Sequence, residues 1–374
     1  MKYIFSLLSV LSFIIINAQP ISITELTVLN QQIKETSGLV YFNGKLITIN
    51  DSGNPPFLYE IDTITGDITR TVTIDNATNI DWESLAQDSL YIYIGDIGNN
   101  SGDRTDLKIY RILKTEYLVN DFITADTISF SYNNQTDFTS NYRNTEFDAE
   151  ALSVYNDSLI IFMKDWVNNT TRTYILSKNP GTQIAFEQNT YNINGLITGS
   201  SYNIEQNTFM LCGYTESLAP FVVNISNFDE LDIFSGNIYI VDLTDSIGAS
   251  QTEGICYLSN DKLFLSREEF IYQSIEIEPK LYSFIYNENS SGIEQINDKQ
   301  IKLYPNPANS YITINKVYDD ENIIVTDILG KPVNCIINTQ QNRMLVDISN
   351  LQNGLYFVIL KFERETQIIR FIKI

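Results

Sequence analysis

The chain has 374 residues, of which 43% are hydrophobic and 19% charged, and this composition predicts a packed globular protein. It contains no histidine, which excludes Ser-His-Asp and Cys-His catalysis, zinc sites built on imidazole, and haem held by a proximal histidine. The formal net charge of −22 argues against a nucleic acid or an anionic membrane as partner. Its three cysteines, Cys212, Cys256 and Cys335, lie far apart and indicate neither a disulfide framework nor a cysteine-rich metal site.

Residues 1–18, MKYIFSLLSVLSFIIINA, have the pattern of a secretory signal peptide. Lys2 supplies the basic start, the apolar run is short for a membrane span, and Ala18 is a small residue before a cut at Gln19. A lipoprotein anchor is not indicated because no cysteine follows the run. Since no second apolar stretch of about 18 residues occurs, we expect an exported chain that is not transmembrane after processing.

Residues 297–374 carry the signals of a small all-β unit. Pro305 and Pro307 interrupt the strand pattern near the start of the unit. Leu329-Gly330-Lys331 predicts a tight turn, and Asn353-Gly354 is a strong hairpin dipeptide. The strings LYPNPAN, DILGK, NLQNGLYFV and RFIKI follow in this order. Together they resemble the type A C-terminal sorting domain of the type IX secretion system of Bacteroidota. This resemblance implies an immunoglobulin-like β-sandwich, recognition by the secretion machinery and its sorting protease, and a secreted or outer cell-surface location.

A polar linker, residues 287–296 (NENSSGIEQI), precedes this sorting domain. The charge changes at the same place. Residues 296–374 contain nine basic and eight acidic side chains, whereas residues 19–295 carry a net charge of −24. The acidity therefore belongs to the cargo domain, residues 19–286.

The cargo domain contains an internal repeat of strand pairs. Short runs of Tyr, Ile, Val, Phe and Thr alternate with Gly, Asn and Asp, which is typical of strands and turns. Each repeat has a small residue at the start of one strand, and a second apolar strand ends 12 to 14 residues later. The small residues lie at positions 38, 84, 151, 201 and 254, and the second strands end at positions 51, 96, 165, 214 and 268.

Further strands complete the repeats, and they predict a closed ring. A third strand follows in all five repeats and a fourth in four of them, while residues 21–29, ISITELTVL, form an unassigned strand. Pairing that strand into the last repeat would cover both sheet edges. We therefore predict an all-β protein, a β-propeller of five four-stranded blades followed by a small immunoglobulin-like β-sandwich. Six blades, one of them within a long loop, and a pair of β-sandwiches are the alternatives.

In a propeller of this kind, we expect acidic side chains to converge at one mouth of the central channel. The first two strands of a blade form an antiparallel hairpin, so the start of one lies beside the end of the other. The ligand-binding candidates near strand starts are Glu35, Asp81, Glu83, Asp148, Glu150 and Glu253, with Arg104 and Arg267 as basic candidates. The metal-binding candidates at second-strand ends are Asp51, Asp96, Asp165 and Glu268. Blade 4 departs from the pattern and offers Ser200, Ser201 and Tyr214.

So many carboxylates require compensation, because their repulsion raises pKa values or recruits a cation. Arg104, Lys164 and Arg267 are the nearby basic side chains. The sequence pattern does not identify a cofactor, but Ca²⁺ suits a set of oxygen ligands without imidazole. Asp51 and Asp96 also begin good Asx-turn sequences, so individual carboxylates have a turn-capping interpretation as well.

Three functions follow from these features. The favoured one is a binding module whose acidic mouth holds a cation together with a glycan, peptide or protein. The second is a carboxylate-dependent hydrolase, glycosidase-like or a metal-dependent phosphoesterase or esterase, with Glu83 and Glu150 as the pair to test. The third is a scaffold for adhesion or gliding. Residues 81–112 resemble blades of secreted bacterial propellers distantly similar to phytase-type and esterase-like propellers, and this names no reaction.

Overall fold

The computed structural model describes residues 21–272, 275–286 and 303–373, apart from gaps at 305, 307, 315–322, 328–330, 341–342 and 362–365. These residues fall into two compact units, one on each side of residue 297. Three sequence-based predictions concern residues outside the described ones: the signal peptide at 1–18, the linker at 287–296, and the turns at Pro305, Pro307 and Leu329-Gly330.

The described part of the first unit contains five blades, each built on four strands, and in blades 1 to 4 the innermost strand comes first in the chain. Phe122–Ile123 adds a fifth strand to the sheet of blade 1, and the outermost strands of blades 2 and 3 pair in parallel, so these two blades form one eight-stranded sheet. The chain enters with β1 (Ile21–Val28) and forms blade 1 from β2 (Thr36–Phe42), β3 (Lys45–Asn50), β4 (Phe57–Ile61) and β5 (Ile68–Ile74). Blade 2 consists of β6 (Trp82–Gln87), β7 (Tyr91–Asp96), β8 (Lys108–Leu113) and, after helix α1 (Lys114–Val119) and the short β9 (Phe122–Ile123), β10 (Asp126–Tyr132). Blade 3 consists of β11 (Asp148–Tyr155), β12 (Ser158–Lys164), β13 (Thr171–Ser177) and β14 (Gly181–Tyr191).

The remaining blades follow the same order. Blade 4 consists of β15 (Leu196–Asn203), β16 (Thr208–Tyr214), β17 (Pro220–Ser226) and β18 (Asn237–Asp242). After helix α2 (Thr244–Ile247), blade 5 begins with β19 (Thr252–Tyr257) and β20 (Lys262–Arg267), continues through a hairpin of β21 (Phe270–Tyr272) and β22 (Ile275–Ile277), and reaches β23 (Lys280–Tyr286). None of the helices in the described residues is long and apolar enough to cross a membrane.

The first strand of the described chain closes the ring. β1 pairs antiparallel with β23, from Ile21 opposite Tyr286 to Val28 opposite Lys280, and so becomes the fourth strand of blade 5. The innermost strands β2, β6, β11, β15 and β19 contact one another in succession, and β19 returns to β2. The predicted five-bladed propeller is therefore confirmed, together with the pairing of residues 21–29 into the last blade.

Apolar side chains fill each interface between neighbouring blades. Alternate residues of a strand point to opposite sheet faces, so every blade buries both faces against its neighbours. Trp82 illustrates this packing, since it is fully buried between blades 1 and 2 and its ring lies 5.9 Å from that of Tyr110. Cys212 and Cys256 are buried in the same way, as free thiols in the interfaces on either side of blade 5.

Small residues permit the close approach of the innermost strands. A Cβ atom added to Gly38 would lie 2.1 Å from the main-chain nitrogen of Leu85, and one on Gly254 would lie 2.5 Å from the carbonyl oxygen of Ser37. In blade 4 the structure differs from the predicted alignment, because Gly199 rather than Ser201 makes this approach, 2.4 Å from the carbonyl oxygen of Glu253. In blades 1, 4 and 5 the small residue is thus a steric requirement of the ring.

The second unit is a β-sandwich, which confirms the fold that the sorting-domain motifs imply. Its described strands are β24 (Leu303–Tyr304), β25 (Tyr311–Ile314), β26 (Ile323–Thr326), β27 (Pro332–Val333), β28 (Ile336–Gln340), β29 (Arg343–Asp347), β30 (Gly354–Lys361) and β31 (Thr366–Lys373). They form two four-stranded sheets, in the orders β24-β25-β29-β28 and β27-β26-β30-β31. Between the sheets lies a core that includes Ile312, Val346, Val358 and Phe371.

Candidate functional site: an acidic cavity at the channel mouth

One mouth of the propeller channel contains a cavity of about 430 Å³. We call it the acidic cavity, because six carboxylates and two basic side chains contribute to its lining. The charged lining residues are Asp51, Asp81, Glu83, Glu150, Glu253, Glu268, Lys164 and Arg143. The others are Ser37, Ser52, Ile80, Asn100, Tyr142, Tyr214 and Gln251.

A β-bulge in every innermost strand determines which side chains enter this cavity. In each blade the pairing between the first two strands shifts at one point, where the innermost strand has an extra residue. The bulge residues are Ser37 with Gly38, then Glu83, Glu150, Thr198 and Glu253. Three of the five blades thus direct a glutamate toward the channel from the same backbone position.

The second strands supply another set of equivalent side chains. At the end of each second strand, one residue lies opposite the innermost-strand residue two positions before the bulge. The two residues are either partners in the ladder or joined by a main-chain hydrogen bond at the end of the ladder. The equivalent residues are Asp51, Ile97, Lys164, Tyr214 and Glu268. All of them except Ile97 line the acidic cavity.

Asp51, Asp81 and Glu83 form the tightest group of carboxylates, which we call the acidic trio. One carboxylate oxygen of each lies within 4.8 Å of those of the other two. Gly98 makes room for them, because a Cβ atom there would lie 2.5 Å from both Asp81 Oδ2 and Glu83 Oε1. The trio combines two strand-start candidates with one of the predicted metal ligands.

Lys164 is the basic side chain that pairs directly with a carboxylate of the cavity lining. Its ammonium lies 2.5 Å from Glu150 Oε1, and both side chains are almost completely buried. The same ammonium lies 4.9 Å from the ring centre of Trp166 and 5.2 Å from that of Tyr214, so aromatic faces also stabilise its charge. Of the three basic candidates from the sequence, Lys164 is the one that enters the cavity.

Burial dominates the electrostatics of the cavity. Burial raises the pKa of every carboxyl group in the lining, and the charges of neighbouring carboxylates raise most of these pKa values further. The groups are Asp51, Asp81, Glu83, Glu150, Glu253 and Glu268. For Asp81 and Glu268 the pKa rises to about 8. Burial opposes the charge of Lys164 as well, but Glu150 and other nearby acids outweigh it and raise the pKa of the ammonium. The cavity therefore binds protons, and any added cation competes with them.

Two of the predicted metal ligands lie outside the cavity lining. Asp96 is fully buried and pairs with Arg104, whose Nη2 lies 2.9 Å from Asp96 Oδ1. Asp165 accepts hydrogen bonds from the main-chain nitrogens of Val167 and Asn168, each at 3.0 Å, and so caps a turn. Ile97 and Lys164 occupy the equivalent positions at the ends of their second strands, and Asp96 and Asp165 are their immediate neighbours in the chain. A shift of one residue along a strand turns the side chain to the other side, so these two carboxylates point away from the cavity lining.

Four of the predicted ligand-binding residues make contacts away from the cavity lining, and one of them is Arg104, the partner of Asp96. Asp148 accepts hydrogen bonds from the Asn99 main chain and from Trp166 Nε1, each at 2.7 Å. Glu35 accepts a hydrogen bond from Asn54 Nδ2 at 2.6 Å. Arg267 donates to the carbonyl oxygens of Glu278 and Ile247, and it lies beside a different, open depression of the surface.

A loop between blades 2 and 3 contributes cavity residues that the repeat could not indicate. Tyr142 and Arg143 lie on this loop, outside the strands of the repeat. The main-chain nitrogen of Arg143 donates to the carbonyl of Asn100 at 2.8 Å, which holds the loop against a neighbouring cavity residue. The Arg143 guanidinium stacks between Tyr142 and Trp166, 5.2 and 4.9 Å from their ring centres.

Glu83 and Glu150, the pair of the hydrolase hypothesis, both line the cavity but have different surroundings. Glu150 is ion-paired with Lys164, whereas Glu83 has the hydroxyl of Ser37 3.5 Å from its carboxylate. The hydrolase and scaffold functions remain predictions.

Comparison with known proteins gives low similarity for the chain as a whole. A chain of the mitotic checkpoint complex aligns at 10% identity with a TM-score of 0.31, over 65% of this chain and 63% of that one. This chain thus spans less than two thirds of that structure. Hydrazine synthase of Kuenenia stuttgartiensis aligns at 10% identity with a TM-score of 0.34, over 92% of this chain and 95% of that one. No curated protein sequence matches.

The C-terminal unit, in contrast, has a family match. Residues 302–374 match the family model described as the secretion system C-terminal sorting domain. The match covers the strands of the β-sandwich and the motifs that resemble the type IX sorting domain. Residues 302–374 are therefore a type IX secretion sorting domain, and the protein is secreted and located at the outer cell surface.

Proposed function

We propose that the propeller is a cell-surface binding module that holds a divalent cation, Ca²⁺ by preference, at the acidic trio. The observation that supports this is the approach of carboxylate oxygens of Asp51, Asp81 and Glu83 to within 4.8 Å of one another. They do so in a cavity with six carboxylates and two basic side chains. Carboxylates at such distances repel one another unless protons or a cation neutralise them.

The chemistry of the ligands favours a hard cation. The trio offers oxygen atoms without imidazole or thiolate, the set that suits Ca²⁺, Mg²⁺ or Mn²⁺. Ca²⁺ accepts six to eight oxygen ligands in a flexible arrangement, whereas Mg²⁺ requires near-ideal octahedral geometry. A cation in the cavity would have coordination positions left for water or for oxygen atoms of a glycan, peptide or protein ligand. It would also reverse the local charge that otherwise repels anionic groups.

Calcium titration of the purified chain after treatment with a chelator tests this function. We expect heat of binding in isothermal titration calorimetry and a higher unfolding temperature, with about 2.7 kcal/mol of added stability at 100 times Kd. Asp81→Asn should abolish both effects. Asp75→Asn changes an exposed aspartate outside the cavity lining and should retain both.

The result that would overturn the proposal is equally direct. Absence of heat and of any thermal shift in the wild type, with no metal found by elemental analysis of the untreated protein, would exclude a cation at the trio. Mg²⁺ in place of Ca²⁺ tests the preference, since the flexible set of carboxylates should bind it more weakly.

A further inference from the structure

Lys164 already places one cation in the acidic cavity. Its side chain is 5% exposed and that of Glu150 is 4% exposed, so the 2.5 Å ion pair between them is shielded from solvent. The ammonium also interacts electrostatically with Glu253 and lies over the rings of Trp166 and Tyr214. These contacts hold a positive charge at a fixed position beside Glu150 and Glu253.

In the part of the chain that the structure describes, no lysine or arginine forms an ion pair with Glu83 of the acidic trio, although the charge of Lys164 acts on it from a longer distance. Only 4% of the residue is exposed, and it lines the cavity. Ser37 Oγ lies 3.5 Å from Glu83 Oε2, but it donates its single proton to the main-chain carbonyl of Glu83 at 2.5 Å. Within the described residues, the Glu83 carboxylate therefore faces the cavity without a good donor. A buried carboxylate in this state requires a proton or an added cation.

We propose that Lys164 is a built-in monovalent cation that determines how many divalent cations the cavity takes. Lys164 leaves the acidic trio open to one divalent cation and blocks a second beside Glu150 and Glu253. The ammonium occupies the place that the second cation would need, and two cations at short range repel strongly in a buried site. The count of one at the trio rests on the proposed function, whereas the blocking role of Lys164 can be tested separately.

Removal of the lysine charge should open the second site. In Lys164→Met the volume of the side chain is largely retained, while Glu150 and Glu253 lose their compensating charge and Glu268 remains nearby in the cavity lining. Isothermal titration calorimetry with CaCl₂ should then give two Ca²⁺ per chain instead of the one expected for the wild type. Lys178→Met is the matched control, because Lys178 pairs with Asp88 outside the cavity and its loss should leave the count at one.

A double variant separates this inference from the proposed function. Asp81→Asn combined with Lys164→Met should bind one Ca²⁺, since the trio is lost and the second site is open. If the wild type binds none and Lys164→Met binds one, the proposed trio site is wrong while the blocking role of Lys164 stands. If folded Lys164→Met binds the same number as the wild type, the blocking role is wrong.

Loss of a buried charge can also impair folding, and the experiment covers that outcome. If Lys164→Met is unfolded in chelator, excess Ca²⁺ should restore a cooperative thermal transition, because a divalent cation replaces the lost ammonium. Failure of Ca²⁺ to restore folding would count against the proposal. Lys164→Arg, which keeps the charge, should bind the same number of Ca²⁺ as the wild type.

Discussion

Ser37 in blade 1 donates its hydroxyl proton to the main-chain carbonyl of Glu83 in blade 2, at a distance of 2.5 Å. Both residues lie at the β-bulges of their innermost strands. This hydrogen bond therefore joins two neighbouring blades at the point where Glu83 enters the acidic cavity. The packing of blade 1 against blade 2 and the position of Glu83 in the acidic trio share this contact.

The stability of the chelated protein should fall as the pH rises. Burial, followed by the charge of Asp51, raises the pKa of Glu268 to about 8, and Asp81 is raised to about 8 in the same way. In the unfolded chain these groups titrate near pH 4. Between the two values the folded protein holds protons that the unfolded chain has released, so the free energy of unfolding falls from about pH 5 to about pH 8. Urea unfolding at several pH values measures this decline.

The control variants distinguish the cavity from other acids. Glu268→Gln removes one of the titrations and should make the decline shallower, by at most about 1.4 kcal/mol per pH unit. Glu230→Gln, an exposed glutamate outside the cavity, should leave it unchanged. A profile that is flat between pH 5 and pH 8.5 would contradict the raised pKa values.

Asp96→Asn should destabilise the propeller without changing cation binding. Asp96 is fully buried and its partner Arg104 would be left with part of its charge uncompensated. We expect a loss of about 3 kcal/mol, the low end for a broken buried pair, because Arg104 keeps a second contact with Asp106 at 3.0 Å. Urea unfolding and calcium titration of the same sample check both parts. Loss of Ca²⁺ binding in folded Asp96→Asn would contradict this, and would show that Asp96 supports the cation site either as a ligand or through the hydrogen bond that it accepts from the Asp81 main chain at 3.1 Å.

Gly38→Ala should disrupt the contact between blades 1 and 2. The new Cβ atom would lie 2.1 Å from the main-chain nitrogen of Leu85, and backbone cannot move aside as a flexible side chain can. We expect a loss of about 3 kcal/mol or more, measured by urea unfolding. At Gly354 of the sandwich an added Cβ has its nearest neighbour at 3.7 Å, so Gly354→Ala should change stability by less than about 1 kcal/mol. Equal effects of the two substitutions would contradict the steric argument.

A disulfide between β1 and β23 should stabilise the closed ring against unfolding. Ser22 and Ile285 are directly paired in this ladder and both are exposed, so Ser22→Cys with Ile285→Cys brings two thiols within bonding reach. Because the bond closes a long loop, oxidation should stabilise the protein by about 3–5 kcal/mol. The measurement is thermal unfolding with and without reductant, after electrophoresis has verified the crosslink.

The control for this disulfide uses the same strands. Thr24 and Ile285 are diagonal neighbours, whose Cα atoms lie about 7–8 Å apart in such a ladder, beyond the reach of a disulfide. Thr24→Cys with Ile285→Cys should therefore remain reduced. If the directly paired variant fails to crosslink while the diagonal one succeeds, the register of β1 is different.

The propeller was predictable because its short apolar strands and turns recur and each repeat has a small residue in its first strand. Blade 4 shows where this reasoning is limited. Ser201 lies 13 residues before Tyr214, as the repeat suggested, but Gly199 makes the close approach to blade 5. Ser200 instead bonds to Ser153, its hydroxyl oxygen 2.8 Å away, further along the channel. Spacing alone cannot count residues in a strand that contains a bulge.

The sequence by itself indicated that the protein is exported with a C-terminal sorting domain and that its cargo is a ring of repeated sheets, and it predicted carboxylates as the main site chemistry. The tertiary structure decided which carboxylates meet. Asp51, Asp81 and Glu83 come together, whereas Asp96 pairs with Arg104 and Asp165 caps a turn. The physical reason is that one extra residue in a bulge reverses the direction of the side chains that follow it.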